Sequence, residues 1–227
     1  MDTVRDTMQE VQQFPLPQIA AYESLIRERA IGDSLAREIS HETPRPKIQV
    51  IETKISGCFE LRPTVVSDSR GYFAKIFHRA LWEELGLCTE YQEEYLTHST
   101  RGTLRGLHFQ TPPMQHAKVV LCVRGSAFDV AVDLRSDSPT YGEHASVNLT
   151  GELANAFYLP AGLAHGFCVT SEEALLYYKV SSLYSPAHDG GIFWDSANIA
   201  WPITSPNLSD RDKQLPLLSH FESPFRL

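Results

Sequence analysis

The chain has 227 residues, 42% of them hydrophobic, which is enough apolar material for one domain with a buried core and an appendage. The formal net charge of -8 excludes broad binding of nucleic acid or an anionic membrane, because Lys and Arg are too few to neutralise phosphates over a wide face. Any phosphate must therefore be bound locally, by a few placed residues.

The sequence predicts a cytoplasmic protein. No stretch approaches the run of about 18 apolar residues that a membrane helix needs, and the first residues are too polar for a signal peptide. The four cysteines contain no Cys-x-x-Cys pair, so neither a disulfide framework nor a zinc knot is indicated. We expect buried thiols at Cys58, Cys88, Cys122 and Cys168.

Residues 1–46 are predicted to form a helical extension and a linker. Between residues 17 and 40 apolar side chains recur at helical spacing, and Gly32-Asp33 divides this stretch into two short helices. The Pro44-Arg45-Pro46 run that follows favours an extended linker. The domain boundary is therefore placed at residues 46 and 47.

Residues 47–227 are predicted to form an all-β domain, a sandwich or small barrel with a jelly-roll arrangement favoured. Short strand-like runs are separated by Gly, Pro, Asn and Asp, and only residues 79–87 have a helical pattern. Gly125 marks a tight hairpin between two of the runs. The predicted strands are residues 48–54, 72–78, 117–123, 127–134, 145–149, 157–159 and 175–181.

One segment, Leu104-Arg105-Gly106-Leu107-His108-Phe109-Gln110, indicates acid/base chemistry next to an anion. An imidazole titrates near neutral pH, so His108 is a candidate base, with Arg105 three residues before it and Lys118 ten after. Lys118 shares a strand face with apolar residues, and its ammonium could stabilise a developing oxyanion. The alternatives are a structural histidine and a lysine that reaches solvent from a strand end.

The second candidate histidine, His165, could be a metal ligand instead of an acid/base group. Pro160-x-Gly162-x-x-His165, which we read as turn-like, matches half of the metal signature of cupin barrels. The other half requires His-x-His and a nearby glutamate, but this chain has His108-Phe109-Gln110. One imidazole and a glutamine make a poor transition-metal site. We therefore expect a cupin-like barrel without a metal or other cofactor.

Many ordered motifs between residues 48 and 216 carry a family resemblance. They are Arg70-Gly71-Tyr72-Phe73, the segment around His108, Asp129 to Arg135 with Ser138-Pro139-Thr140, Pro160 to Phe167, Tyr178-Lys179, Trp194-Asp195, Trp201-Pro202 and Leu208 to Asp212. In this set and order the chain resembles the dTDP-4-dehydrorhamnose 3,5-epimerase family. The resemblance implies a metal-free cupin-fold homodimer that epimerises a nucleoside-diphosphate-linked 4-keto-6-deoxyhexose.

The resemblance also implies roles for single residues. His108 matches the general base, and Asp212 matches the carboxylate that orients it. Tyr178 matches the residue that returns a proton on the opposite face, and Lys118 the lysine that stabilises the enolate. The expected binding residues are Arg105 and His165 for the diphosphate, Arg70 and Tyr184 for the nucleotide, and Gln110 at the end of the His108 motif.

The recognition region departs from the family pattern at two places. Lys75 stands where the family has a glutamate, and Glu93-Glu94-Tyr95 replaces Gln-x-Asn. A carboxylate at Glu93 only accepts hydrogen bonds, whereas an amide also donates. Such an acceptor suits the amino group of cytosine and repels O4 of thymine. The sequence therefore leaves a CDP-linked and a dTDP-linked substrate open.

Two other functions stay open at this point. A 3,4-ketoisomerase of the same fold would give a 3-keto product from the same class of substrate. A non-catalytic sugar-nucleotide binding protein would bind without exchanging any proton. The sequence also leaves open whether C3, C5 or both are inverted.

Overall fold

The computed structural model describes residues 47–227, in which thirteen strands, one short α-helix and two 3₁₀ helices are defined. The predicted helices and linker of residues 1–46 lie outside the described residues. The strands are β1 Ile48–Glu52, β2 Phe59–Pro63, β3 Val65–Asp68, β4 Gly71–Ala74, β5 Glu93–Thr100, β6 Leu104–Gln110, β7 Lys118–Arg124, β8 Ser126–Asp133, β9 His144–Thr150, β10 Ala156–Leu159, β11 Leu163–Val169, β12 Glu173–Val180 and β13 Asp189–Gly191. The helix α1 spans Arg79–Glu84, and the 3₁₀ helices span Asp212–Gln214 and Leu218–His220.

The strands form two main sheets and a separate hairpin. One sheet has the order β1-β2-β10-β7-β12-β5 and the other the order β13-β6-β11-β8-β9, with antiparallel neighbours throughout. The pair β3-β4 stands apart as a two-stranded ribbon. Some neighbouring strands are distant in sequence, such as β2 and β10, as is expected of a jelly roll. The predicted all-β class and jelly-roll arrangement are confirmed.

Strand alternation sorts the apolar residues into three layers. The inner faces of both sheets meet in a central cluster that includes Val120, Ala131 and Phe167. Val130 and Val132 point to the other side of β8 and pack with Phe225 near the C-terminus. This separation of the two faces of β8 follows the two-residue period of a β-strand. On the outer face of the six-stranded sheet, Trp82 of α1 packs in a third cluster.

Several strands were not predicted, and some local predictions are wrong. The segments of β2, β3, β5, β11 and β13 lay outside every predicted run, and β4 ends at Ala74 although a strand was expected to continue to residue 78. The turn at Gly125 is not a hairpin, because β7 and β8 belong to different sheets and do not pair. His165 lies within β11, a strand buried along its whole length, and not in a turn. The turn signal of Pro160 and Gly162 belongs to the preceding residues, where Gly162 has a φ of +89°.

A close approach of β6 and β11 fixes the position of both histidines. A Cβ atom on Gly106, whose φ is +135°, would lie 2.5 Å from the Cα of Gly166, so only glycine permits this spacing. The two strands pair with His108 directly opposite His165. The Gly106 position of the motif is therefore explained by backbone packing.

Cys58, Cys122 and Cys168 are buried thiols as predicted, whereas Cys88 is only half-buried, and all four are free. In the part of the chain that the structure describes, no helix is long and apolar enough to cross a membrane.

Candidate active site

His108 and Asp212 form a hydrogen-bonded pair although 104 positions separate them in the sequence. His108 projects from β6, and its Nε2 lies 2.6 Å from Oδ1 of Asp212. Nδ1 of the imidazole has no hydrogen-bond partner among the described residues, so it can meet a substrate. A carboxylate in this position orients the ring and stabilises its protonated form.

The 3₁₀ helix at Asp212 delivers the carboxylate to the sheet. Its first residue, Asp212, donates its backbone N–H to Oγ of Ser209 at 3.1 Å, which fixes the turn. The carboxylate is buried, and burial by itself would raise the pKa of Asp212. The hydrogen bond from His108 and the backbone N–H of Gly106 outweigh burial, so the pKa lies below its usual value. Asp212 is therefore held as an anion beside the imidazole.

Lys118 brings a buried ammonium to the same region from the other sheet. It is the first residue of β7 and is only 8% exposed. Burial lowers the pKa of Lys118 to about 8, against the opposing effects of Asp129 and Asp189. Among residues 47–227 no acceptor lies within hydrogen-bonding distance of its Nζ, so the ammonium is available to an oxygen of a bound ligand.

A second imidazole–carboxylate pair lies deeper in the molecule. Nε2 of His165 is 2.8 Å from Oδ1 of Asp129 on β8, and both side chains are buried. Burial lowers the pKa of His165 and raises that of Asp129. The second carboxylate oxygen of Asp129 accepts no hydrogen bond from any described residue. The nearby charge of Lys118 partly opposes the rise in the pKa of Asp129.

Tyr178 lies on β12, in the same sheet as Lys118, and is 3% exposed. Burial, with Asp129 as a further cause, holds the pKa of its phenol well above the usual value, so the hydroxyl carries a proton that it can donate. The hydroxyl of Thr97 lies 3.5 Å from the hydroxyl of Tyr178. The ring also packs edge-on against His165, with 6.0 Å between centroids.

One cleft with two chambers connects these groups, since four residues line both chambers. The first, which we call the dyad chamber, has a volume of about 250 Å³ and contains the His108–Asp212 pair, Tyr178, Arg105 and His165. The second, the Glu93 chamber, has a volume of about 350 Å³. The shared residues are Tyr95, His108, Lys118 and Arg211.

A chain of polar contacts builds the Glu93 chamber. Oε1 of Glu93 accepts the backbone N–H of Tyr184 at 2.9 Å, and the Tyr184 hydroxyl lies 3.2 Å from Asp189. Asp189 in turn forms a 2.8 Å ion pair with Arg211. Glu93 therefore shapes the loop that carries Tyr184, and its other carboxylate oxygen has no partner among the described residues.

Gln110 lines the Glu93 chamber, but protein groups occupy its amide. Its Nε2 lies within hydrogen-bonding distance of the carbonyls of Met114 and Leu183, and its Oε1 accepts the N–H of Ser185 at 2.6 Å. His116, which was not among the predicted site residues, lies beside it with Nδ1 at 3.2 Å from Nε2 of Gln110. Gln110 thus joins two loops, while His116 adds an imidazole to the chamber wall.

Arg70 and Lys75 do not line either chamber. Arg70 lies at the turn of the β3-β4 hairpin, where it pairs with Asp68 and is exposed. Lys75 follows the same hairpin and is also exposed. The other predicted side chains come together. The walls also contain residues that were given no predicted role, among them Tyr95, Thr97, His116 and Arg211.

Within residues 47–227, no three His, Cys, Asp or Glu side chains come together in a way that could hold a metal ion. The arrangement has an imidazole on one sheet, paired with a carboxylate from a 3₁₀ helix, and an ammonium and a phenol on the other sheet. Groups of these kinds remove a proton, stabilise the resulting negative charge and return a proton. The cleft of this jelly-roll protein therefore holds the kinds of group that proton transfer requires.

Comparison with known proteins identifies the family. Residues 52–220 match the family model of dTDP-4-dehydrorhamnose 3,5-epimerase, which covers most of the chain. The chain belongs to this family of isomerases, as its ordered motifs predicted.

Individual relatives are similar over nearly their whole length. The dTDP-4-dehydrorhamnose 3,5-epimerase of Shigella flexneri is 44% identical over 168 residues, which are 73% of this chain and 93% of that protein. A dTDP-6-deoxy-D-glucose-3,5-epimerase from Legionella pneumophila, solved with dTDP-4-keto-L-rhamnose, is 34% identical with a TM-score of 0.76 and covers 80% of this chain and 100% of that one. A 3'-monoepimerase from Streptomyces bikiniensis, solved with dTDP-quinovose, is 36% identical with a TM-score of 0.70 and covers 74% and 86%.

Proposed function

We propose that this protein is an epimerase that inverts C3, C5 or both in a nucleoside-diphosphate-linked 4-keto-6-deoxyhexose. One observation carries the proposal. The free nitrogen of His108 and the phenol of Tyr178 enter the dyad chamber from different sheets, and Lys118 lies beside both chambers. A base and an acid on two sides of one sugar ring are what inversion requires.

The chemistry follows from the groups at the cleft. Nδ1 of His108 takes the proton from a carbon next to the ketone, and the electrons of the broken C–H bond move into the C4 carbonyl to form an enolate. The ammonium of Lys118 stabilises the enolate oxygen, an interaction that is strong because the site is buried. Tyr178 then gives its proton to the carbon on the other face. The proton on His108 passes to water, and Tyr178 regains one.

Arg105 and Arg211 are the further cations that can meet the diphosphate. Arg105 donates to Oγ of Ser99 at 3.0 Å, which holds it at the wall of the dyad chamber. Arg211 lines both chambers although it already pairs with Asp189. We assign Arg105 and His165 to the phosphate group that is attached to the sugar. We assign Arg211 to the part of the diphosphate that extends from one chamber into the other.

Proton exchange in deuterated water tests this function. The protein is incubated with dTDP-4-keto-6-deoxyglucose and with its CDP counterpart, and deuterium in the sugar is located by NMR. We expect label at C3, C5 or both, together with inversion at the labelled carbon. A 3-keto product would identify a ketoisomerase. Binding without label in either sugar would overturn the epimerase function and favour a binding protein.

The nucleotide is decided in part by Glu93. The names of the relatives favour dTDP, whereas the free oxygen of the Glu93 carboxylate favours a base with an amino group. If the base lies beside Glu93, Glu93→Gln is expected to shift the ratio of kcat/KM for the CDP substrate to that for the dTDP substrate about 10-fold toward dTDP, which is the effect of one charged hydrogen bond. Glu94→Gln, outside both chambers, is the matched control. An unchanged ratio in Glu93→Gln would remove the cytosine hypothesis.

We further propose that the protein is a homodimer. The β3-β4 hairpin exposes apolar side chains, with Val66 61% and Phe73 63% exposed, and such a surface is typical of an interface. Arg70 lies at the tip of this hairpin, away from the cleft of its own chain. The predicted contact of Arg70 with the nucleotide therefore requires the cleft of a second copy. The cytoplasmic location stays a prediction.

Mixing two inactive variants tests the shared site. Arg70→Ala and His108→Ala are each expected to have little activity. After subunit exchange, a mixed dimer has one cleft with an intact His108 and an Arg70 from the other subunit. Random pairing should restore about a quarter of the wild-type activity. No restoration, with mixed dimers confirmed by mass, would show that Arg70 does not act across an interface.

A further inference from the structure

Tyr95 and Tyr178 lie side by side on two paired strands. Residue 95 of β5 and residue 178 of β12 are register partners, and their rings stack with centroids 4.7 Å apart and planes 14° apart. Tyr95 is also one of the four residues that line both chambers. Cross-strand aromatic pairs of this kind hold each other's ring orientation.

The other contacts of Tyr178 leave its ring weakly fixed. Its hydroxyl has a single hydrogen-bonding neighbour among the described residues, Thr97, at the long distance of 3.5 Å. His165 touches the ring edge-on at 6.0 Å between centroids and does not cover its face. The stack with Tyr95 is therefore the closest aromatic contact that determines the plane of the phenol.

The side chain of Tyr95 is uncharged in this position. Burial, with Glu93 and Asp189 as further causes, raises the pKa of Tyr95 to about 12, so its phenol stays protonated in neutral solution. It therefore places no negative charge against Tyr178. At 40% exposed it separates the buried ring of Tyr178 from solvent.

We propose that Tyr95 is a positioning residue that holds Tyr178 toward the sugar, so that the enolate is protonated by Tyr178 and not again by His108. This inference rests on the proposed epimerase function. Once the enolate forms, protonated His108 and Tyr178 compete for the same carbon from opposite faces. Return of a proton from His108 regenerates the substrate, whereas transfer from Tyr178 inverts the centre. A displaced phenol shifts the competition toward return.

The competition can be measured as a ratio. In deuterated water at low conversion, return from His108 gives uninverted substrate that carries deuterium, and transfer from Tyr178 gives labelled product. We expect the ratio of labelled substrate to labelled product to rise about 2- to 10-fold in Tyr95→Ala, in keeping with the strength of an aromatic pair. Tyr95→Phe keeps the stacked ring and should leave the ratio at the wild-type value. Tyr178→Phe gives the upper limit of the ratio.

A ratio separates positioning from loss of folded protein, because partial unfolding lowers both labelled species equally. Tyr141→Ala is the control, since Tyr141 is also 40% exposed but lines neither chamber. An unchanged ratio in Tyr95→Ala, or an equal rise in Tyr95→Phe, would overturn the role of the stack. Absence of label with the unmodified protein would overturn the epimerase function itself, and with it the role of Tyr95.

Discussion

His108→Ala is expected to lower proton exchange at every carbon of the substrate by about 10²- to 10⁴-fold, the contribution of a positioned acid/base group. The reason is that His108 is the half-buried imidazole of the dyad chamber with a carboxylate that orients it, whereas the pair of His165 and Asp129 is fully buried and burial lowers the pKa of His165. Exchange is followed by NMR in deuterated water with the sugar that the unmodified protein accepts. Asp212→Asn should cause a large loss as well, because the amide cannot stabilise a protonated imidazole.

The surface offers a matched control for this variant. His98 and Glu173 form another imidazole–carboxylate pair with 3.1 Å between the two side chains, but both are exposed and outside the cleft. His98→Ala should therefore leave exchange within about 2-fold of the wild-type rate, as is usual for a surface substitution. Exchange at the normal rate in His108→Ala would rule out the assigned base.

Lys118→Met is expected to lower kcat by about 10²- to 10³-fold, because a buried charge that stabilises the developing enolate is lost. Methionine has a similar length and suits an apolar strand, so the core should tolerate it. Lys54→Met, which removes an exposed lysine paired with Glu143, is the control for a change of surface charge. An enolate stabilised elsewhere would leave kcat of Lys118→Met close to the wild-type value.

The same lysine predicts the alkaline limit of activity. Burial lowers the pKa of Lys118 to about 8, and only the protonated form carries the charge that meets the enolate. As the pH rises through about 8 the ammonium loses its proton, so kcat should fall on the alkaline side. Lys118→Arg, whose guanidinium stays charged, should retain partial activity and move this decline to higher pH. If kcat of Lys118→Arg declined at the same pH as kcat of the wild type, the decline would be due to another ionisable group.

The fold was predictable where strands alternate between two faces. The predicted run of residues 127–134 corresponds to β8, whose residues alternate between two faces, whereas the predicted hairpin at Gly125 is wrong because this turn connects strands of different sheets. β11 was missed because it is buried along its whole length, and such a strand lacks an alternating pattern. β5 was missed for the opposite reason. It is an edge strand of the six-stranded sheet with mostly polar or exposed residues, and its sequence resembles a loop.

The site was predictable to the extent that motifs carried it. The pairing of His108 with Asp212, which no local pattern could indicate, was expected from the family resemblance. The missed wall residues had weaker signals. His116 lies two residues before Lys118, so the two-residue period of a strand would have placed it on the same face as Lys118. By the same period, Tyr95 shares a face with Glu93 and Thr97, which also line the chambers. Arg211 is adjacent to Asp212 in the sequence.

The proposed base and the proposed acid lie on separate sheets, so the distance between the sheets enters the proposed reaction. Two sheets pack about 10 Å apart, a distance set by the side chains that fill the space between them. The span available to a sugar ring between His108 and Tyr178 is thus determined by residues such as Val120 and Ala131, which line neither chamber. A larger or smaller side chain in that central layer would change the distance between the two proton-transferring groups, although neither group itself was replaced.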